Sequence, residues 1–196
     1  MHIIAGLGNP GEEYELTRHN TGRMIVSDFA KKQEFPDWVF DKKINALKTE
    51  ACLPARQDKI KKEKVLLLLP ETMMNNSGNA VQKFITSKQK AKNLIVIHDD
   101  LDLPLGRFKI SFARGSAGHR GVESVIKKIK TTEFIRVRAG ISPKKKPASK
   151  ELVKFLLGRF TPKDLAVFKK VSKKIGEALE MIVSDGPQAA MSRFNK

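Results

Sequence analysis

Apolar positions along the chain alternate between short continuous runs and stripes with helical spacing. Six segments have the apolar content or the alternation of strands, at residues 2–7, 48–53, 65–69, 94–97, 107–112 and 134–141. Four others have apolar residues at helical spacing, at residues 24–30, 80–85, 122–129 and 165–182. This order predicts an α/β fold with one domain over residues 1–196. We expect a three-layer sandwich, in which a mixed, mostly parallel sheet carries helices on both faces.

Polar residues directly follow four of the predicted strands. In parallel sheets, loops that leave the carboxyl ends of strands meet at one edge, where ligands bind. The pattern therefore predicts that side chains from four separate loops lie close together. The residues concerned are Asn9 and His19, Asn75, Asp99 and Asp100, and His119.

The formal net charge of +17 favours a polyanionic partner. Such a field attracts polyanions and speeds their encounter with the protein. Nucleic acid and an anionic membrane surface both satisfy this description. We favour nucleic acid, because no strongly basic amphipathic helix stands alone at either end of the chain. The three lysines at 144–146, between two prolines, are interpreted as a solvated loop.

The remaining composition predicts a cytoplasmic protein without a membrane segment. No apolar run approaches the roughly 20 residues that span a bilayer. The first predicted strand follows Met1 directly, so we expect neither a signal nor a transit peptide. Cys52 is the single cysteine, which excludes an internal disulfide and fits a reducing compartment.

His19 is the candidate general base. It lies between Arg18 and Asn20 and outside the apolar stripes, and a neutral histidine can take a proton from water. Such a base needs a carboxylate on its other nitrogen, and Asp99 is the candidate. No good protein nucleophile is found: Cys52 is interpreted as a core residue and Ser77 as a helix cap. Water activated by His19 is therefore the predicted nucleophile.

Other interpretations of these residues stay open at this point. Gly6–Gly11 matches the G-x-G-x-x-G pattern of dinucleotide sites, with Asp28 as a ribose contact, but the glutamates that follow would repel phosphate. Asp99, Asp100 and Asp102 could hold Mg²⁺ for phosphodiester cleavage, although strand alternation places Asp99 on the opposite face. Asn75 either polarises a carbonyl or forms a turn. His119 either caps a helix or helps its amides bind an anion.

Five short motifs occur in order over most of the chain. They are G-L-G-N-P-G at 6–11, T-R-H-N at 17–20, M-M-N-N-S-G at 73–78, H-D-D-L-D-L-P at 98–104 and G-H-R-G at 118–121. Together they resemble the bacterial peptidyl-tRNA hydrolase family, and F-L-L-G at 155–158 continues the similarity. The resemblance implies hydrolysis of the ester between a stalled peptide and the 3′ ribose of tRNA. It also implies recognition of the CCA end and acceptor stem by a monomer that needs no metal or organic cofactor.

The resemblance also assigns roles to individual residues. It makes His19 the base and Asp99 its support, and Asn9 a residue that distinguishes peptidyl-tRNA from free aminoacyl-tRNA. Asn75 is expected near the attacked carbonyl, and Tyr14 is expected to line the site of the tRNA end.

Two residues depart from the family pattern, and a third expected residue has to be found elsewhere. Met73 stands where phenylalanine is common, and Arg120 stands where asparagine is common. Methionine stacks less well on a base, whereas arginine grips phosphate or carbonyl groups strongly. Arg138 matches one half of an expected clamp for the tRNA 5′ phosphate. The other half falls near Ser111, so Lys109 or Arg114 is expected to replace it.

Overall fold

The structure is a computed structural model, and it describes residues 1–54, 62–143 and 147–195. The lysines at 144–146 lie outside the described residues, so their interpretation as a solvated loop stays a prediction. The α/β class is confirmed: the strands form one mixed sheet, with helices on both faces.

Seven strands form the sheet among the described residues, in the order β2-β3-β4-β1-β5-β7-β6. They are β1 (His2–Gly6), β2 (Val39–Asp41), β3 (Ala46–Pro54), β4 (Lys62–Pro70), β5 (Leu94–Pro104), β6 (Phe108–Phe112) and β7 (Ile135–Ser142). The four strands β4, β1, β5 and β7 are parallel to one another, and β3 and β6 run antiparallel to their neighbours. The apolar run at 65–69 lies in β4, an interior strand, as its composition predicts.

Helices cover both faces of the sheet. They are α1 (Thr21–Lys32), α2 (Gly78–Val81), α3 (Lys88–Ala91), α4 (Arg120–Ile129), α5 (Leu152–Leu157), α6 (Pro162–Asp185) and α7 (Pro187–Phe194). Helices α1, α6 and α7 pack with Ile95 and Ile97 of β5 in one buried cluster. Helices α2 and α4 pack with Val96 in a second cluster, because neighbouring residues of a strand face opposite sides.

Strand β5 is longer than the sequence pattern predicted. The strand continues through the acidic segment to Pro104, so Asp99 and Asp100 lie inside it and not in a loop after it. The turn predicted for Asp100 and Asp102 is therefore wrong. Parallel pairing with β7 extends the strand, with Asp99 opposite Ala139 and Asp100 opposite Gly140.

Other local predictions also need correction. Cys52 is exposed rather than part of the core, because its neighbour Leu53 faces the buried cluster and Cys52 therefore faces the other side of β3. Ser77 precedes α2 but does not cap it; its hydroxyl donates to the carbonyl of Met74 instead. The predicted helix at 80–85 ends at Val81. Helices α3, α5 and α7 and strand β2 were not predicted.

Close packing of α1 against β5 determines the position of the residues just before α1. A Cβ on Gly22 would lie 2.1 Å from the carbonyl oxygen of Ile97, so only glycine lets the first turn of α1 touch β5 there. This contact places the residues just before α1 beside the carboxyl half of β5. No helix among the described residues is long and apolar enough to cross a bilayer.

Candidate active site

One cavity of about 620 Å³ gathers most of the residues that the sequence singled out. Its lining includes Asn9, His19, Met73, Asn75, Asp99, Asp100, His119 and Arg120. The prediction that four polar segments meet at one place is thus confirmed for the described residues. Tyr14 and Arg138 are not among the lining residues.

Asn9 is held in place by two neighbouring segments. Its backbone N–H donates to the side-chain oxygen of Asn20, and its carbonyl accepts from the Asn20 amide, both at 2.8 Å. Its own Oδ1 accepts from the backbone N–H of Met74 at 2.7 Å. Because Oδ1 is occupied, Nδ2 is the polar group that Asn9 can offer to the cavity. Asn20 was predicted only as part of a motif. It is a buried residue whose two hydrogen bonds hold the G-L-G-N-P-G turn in place.

Asp99 lies between two imidazoles. His19 belongs to the short 3-10 helix Arg18–Asn20, and its Nδ1 is 3.0 Å from both carboxylate oxygens of Asp99. Nε2 of His119 lies 2.9 Å from Oδ1 of the same carboxylate. A carboxylate accepts hydrogen bonds, so Nδ1 of His19 carries a hydrogen and the neutral ring leaves Nε2 free as a base.

The second imidazole also has a fixed tautomer. His119 is the N-cap residue of α4, and its Nδ1 accepts from the backbone N–H of Val122 at 3.2 Å. Nε2 must then carry the hydrogen that is donated to Asp99. His119 is confirmed as a helix cap, but sequence reasoning missed its bond to Asp99. The G-H-R-G motif placed it at a helix start, and only the fold places that start beside β5.

The charges of this group shift one another's pKa values. Burial lowers the pKa of His19, but the negative charge of Asp99 and the hydrogen bond to it outweigh that effect, so the pKa lies above the ordinary 6.5. Burial raises the pKa of Asp99, yet the charges of His19 and His119 and their hydrogen bonds hold it well below its usual range. Asp99 is therefore ionised when His19 is neutral. Arg120 opposes protonation of His19 by its positive charge.

His98 supports this group from within the sheet. Its Nδ1 donates to the backbone carbonyl of Asp99 at 2.6 Å, and its ring meets His119 edge-on with centroids 4.6 Å apart. Burial, and then the neighbouring His119, keep the pKa of His98 well below its ordinary value. Nε2 of His98 is buried and has no hydrogen-bond partner among the described residues. His98 is thus a neutral packing group and not a competing base.

Helix α5 forms an apolar wall of the cavity. Val153 and Leu157 are 60% and 41% exposed, and Leu152 and Leu156 line the cavity beside them. Arg18 holds this wall in place. Its Nη1 donates to the carbonyl oxygens of Phe155 and Gly158, and its guanidinium lies 4.4 Å from the centre of the Phe155 ring.

The basic residues named by the sequence have different environments. Arg120 is exposed at the start of α4, and no described residue forms an ion pair or side-chain hydrogen bond with it. Arg138 instead donates from Nε to Oδ2 of Asp100 at 2.6 Å. Lys109 lies opposite Arg138 in the β6–β7 ladder, whereas Arg114 lies beyond the end of β6.

The geometry does not favour the two alternative sites. Both oxygens of Asp100 are engaged, one by Arg138 and one by the backbone N–H of Asp102. Ligand atoms of His19, Asp99 and His119 do lie within 4.8 Å of one another, but a metal ion there would have to replace two N–H hydrogens that bind Asp99. The glycine turn leads into the three-residue 3-10 helix Glu12–Tyr14, and Asp28 accepts from the Ser172 hydroxyl.

Comparison with known proteins identifies the family. The family model described as peptidyl-tRNA hydrolase matches residues 3–196. The chain belongs to the peptidyl-tRNA hydrolase family. It is 39% identical over 196 residues to a peptidyl-tRNA hydrolase of Caldanaerobacter subterraneus, with the whole of both chains covered. It is also 39% identical over 198 residues to that of Aquifex aeolicus, covering 100% of this chain and 97% of the other.

Solved structures agree with this assignment. A crystal structure of peptidyl-tRNA hydrolase from Acinetobacter baumannii matches with a TM-score of 0.87 and 28% identity, covering 100% of this chain and 94% of that chain. The predicted family resemblance and the predicted fold class are thus both confirmed.

Proposed function

We propose that this protein hydrolyses the ester bond between the peptide and the 3′ ribose in peptidyl-tRNA, with His19 as general base. The observation that carries the proposal is the hydrogen bond from Nδ1 of His19 to the buried carboxylate of Asp99. This bond leaves Nε2 of His19 as the basic atom in a cavity that opens to solvent. Family membership supplies the substrate class.

The proposed reaction needs one water molecule and no protein nucleophile. Nε2 of His19 takes a proton from water while the water oxygen attacks the ester carbonyl. The resulting imidazolium is stabilised by ionised Asp99. When the tetrahedral intermediate collapses, the ester C–O bond breaks and the imidazolium returns its proton to the 3′ oxygen of the ribose. The products are a peptide with a free carboxyl group and a tRNA with a free 3′ hydroxyl.

Two amides are proposed to position the peptide end of the substrate. Nδ2 of Asn9 is a fixed donor, suited to a backbone carbonyl that a peptide has and a single amino acid lacks. Asn75 is exposed in the cavity, where its amide can bind the oxygen of the attacked carbonyl. The apolar wall of α5 is proposed to receive side chains of the peptide.

The tRNA end is proposed to lie on the basic side of the cavity. Met73 is 45% exposed and can pack against a terminal base, and Arg120 offers a phosphate a guanidinium that no described residue pairs with. Arg138 and Lys109 are adjacent across two strands and are proposed as the 5′-phosphate clamp. Arg114 lies outside that ladder. Tyr14 keeps its proposed role only if the tRNA end extends beyond the cavity lining.

Peptide release from an N-blocked aminoacyl-tRNA tests the proposal directly. We expect release from the blocked substrate, little release from the unblocked form, and no change when a metal chelator is added. Equal release from both substrates would contradict the role of Asn9. Loss of activity in chelator would favour the Mg²⁺ alternative. Tight tRNA binding without any release, from a folded protein, would favour an RNA-binding module.

The remaining expectations are part of the same proposal. We propose that the protein is a cytoplasmic monomer that acts as one domain and uses neither a metal ion nor an organic cofactor. Sedimentation of the purified protein tests the monomer, and the chelator arm of the release assay tests the metal.

A further inference from the structure

A buried arginine on β7 has no partner for its charge among the residues that the structure describes. Arg136 is 3% exposed, and no described residue forms an ion pair with it. Two of its nitrogens, Nε and Nη1, are buried without a hydrogen-bond partner in the described part of the chain. An arginine keeps its charge in proteins, and an unpaired buried charge is costly. Arg136 therefore needs a hydrogen-bond acceptor.

An acceptor that lacks a donor lies on the same face of the sheet. Val96 of β5 belongs to the buried cluster of α2 and α4, so His98, two residues further along the strand, faces the same side. Arg136 lies opposite Val96 in the β5–β7 ladder and faces that side too. Nε2 of His98 is buried and has no partner among the described residues. It is an acceptor, because Nδ1 of the neutral ring carries the hydrogen that is donated to the carbonyl of Asp99.

The charge of Arg136 acts on His98. Burial is the main cause of the low pKa of His98, and the charges of His119 and Arg136 lower that pKa further. A water molecule suits the space between the two side chains chemically, because it accepts from a guanidinium N–H and donates to an imidazole nitrogen. A halide ion does not, since it carries no hydrogen to donate to Nε2. The donors of Arg136 and the acceptor of His98 are therefore complementary through one water.

We propose that Arg136 is a positioning residue of the active site, which donates through one buried water to Nε2 of His98. The proposal rests on the proposed function, because it names a residue that orients the proposed base and its carboxylate without touching the substrate.

The tautomer of His98 is the first link between Arg136 and Asp99. A donor beside Nε2 keeps the hydrogen of His98 on Nδ1, which binds the backbone carbonyl of Asp99 at 2.6 Å. In the other tautomer, the lone pair of Nδ1 would face that carbonyl oxygen and repel it. The second link is the ring of His98, which packs edge-on against His119, and Nε2 of His119 donates to the Asp99 carboxylate. Arg136 thus acts on the backbone of Asp99 and on one of its two imidazoles.

The test variant is Arg136→Met, which keeps an unbranched side chain but removes the donors. The matched control is Lys31→Met, which removes one exposed charge at the end of α1, away from the cavity that contains His19. Arg136→Met should lower kcat by up to about 100-fold, since a small misplacement far from the chemistry can cost that much. The Kd of deacylated tRNA should equal that of the control, because Arg136 is buried. Arg136→Lys keeps the charge and a donor, so its kcat should be intermediate.

Two measurements on the native protein keep the proposal testable if the variant does not fold. A high-resolution crystal structure should show a water within about 3.2 Å of both Nε2 of His98 and a nitrogen of Arg136. Nitrogen NMR should show the hydrogen of His98 on Nδ1, and in a folded Arg136→Met variant the Nε2 resonance should move downfield as its hydrogen bond is lost.

Three results would overturn the proposal. They are a hydrogen on Nε2 of His98 in the native protein, a bromide ion in the place of the water after a soak, and a loss of tRNA affinity in Arg136→Met with kcat unchanged. The last result would make Arg136 a tRNA contact. Failure of the native protein to release peptide would instead refute the proposed function, whereas the electron density and the tautomer would still report on Arg136 and His98.

Discussion

Two cavities of the molecule use charge in opposite ways. One surrounds His19 and Asp99, and we call it the catalytic cavity; the other lies between β6, α6 and α7, and we call it the basic cavity. In the first, Asp99 is buried and satisfied by two imidazoles, and Asp100 is paired with Arg138. In the second, the lining includes Arg107, Lys109, Lys174 and Arg193, and none of them forms an ion pair with a described residue. A satisfied network fixes orientation and tautomer, which is what proton transfer requires. Unpaired cations keep their attraction for a ligand. We therefore expect changes in the first to alter rate and changes in the second to alter binding.

The largest effect is expected for His19→Ala. Loss of the base should lower kcat by roughly 100- to 10,000-fold, since that is the usual contribution of general base catalysis. Affinity for deacylated tRNA should change little, because the cationic residues remain. Parallel turnover and binding measurements check this. An equal loss in both quantities would break the comparison between the two cavities.

Asp99→Asn should lower the rate less than His19→Ala does, because the base remains and only its orientation and stabilisation suffer. It should also move the pH profile. In the native protein the raised pKa of His19 means that activity rises with pH through a value above 6.5. Without the negative charge, burial dominates and lowers that pKa, so the acidic limb should move to lower pH. The pH dependence of kcat/KM measures this shift. An acidic limb that stays in place would show that Asp99 does not raise the pKa of His19.

Arg18→Lys should have an intermediate effect that sharpens the comparison within the catalytic cavity. Lysine keeps the charge but loses the paired donation to two carbonyls and the stacking on Phe155. The free energy of unfolding should fall by about 1 to 2 kcal/mol. Denaturant melts measure that fall, and steady-state kinetics should give a KM that rises more for substrates with a bulky apolar last residue. Identical KM changes for glycine and leucine at that position would argue against the apolar wall.

Arg120→Gln should have the smallest effect on maximal rate and a distinct effect on pH dependence. Its positive charge opposes protonation of His19, so its removal should raise that pKa and move the acidic limb to higher pH, opposite to Asp99→Asn. Arg114→Gln is the matched control, since it removes an exposed charge that does not line the cavity. An equal shift of the acidic limb in both variants would show that the effect comes from the net charge and not from the position of Arg120.

The sequence predicted the alternation of elements and the meeting of four polar segments, because both follow from local periodicity and from the geometry of parallel strands. It did not predict the length of β5, since an acidic run is an unfavourable strand until β7 and Arg138 lie beside it. The exposure of Cys52 depends on which face of β3 the helices cover at that point, which periodicity does not report. The bond between His119 and Asp99 joins residues that are 20 positions apart, and no spacing rule links them.

The sequence predicted neither the apolar wall formed by α5 nor the basic cavity. Six residues without polar alternation give no clear helical stripe, and the wall is defined by its place in the lining of the cavity that also contains His19. The four cations of the basic cavity are scattered between residues 107 and 193, and only the fold brings them together.

The attachment of Arg18 to α5 has a mechanical consequence. Arg18 and His19 are neighbours in sequence, so one peptide unit joins the residue that anchors the helix to the proposed general base. A substrate that pushed α5 outward would pull on that unit and tilt the imidazole. Turnover would then depend on the bulk of a group that never touches the reacting atoms.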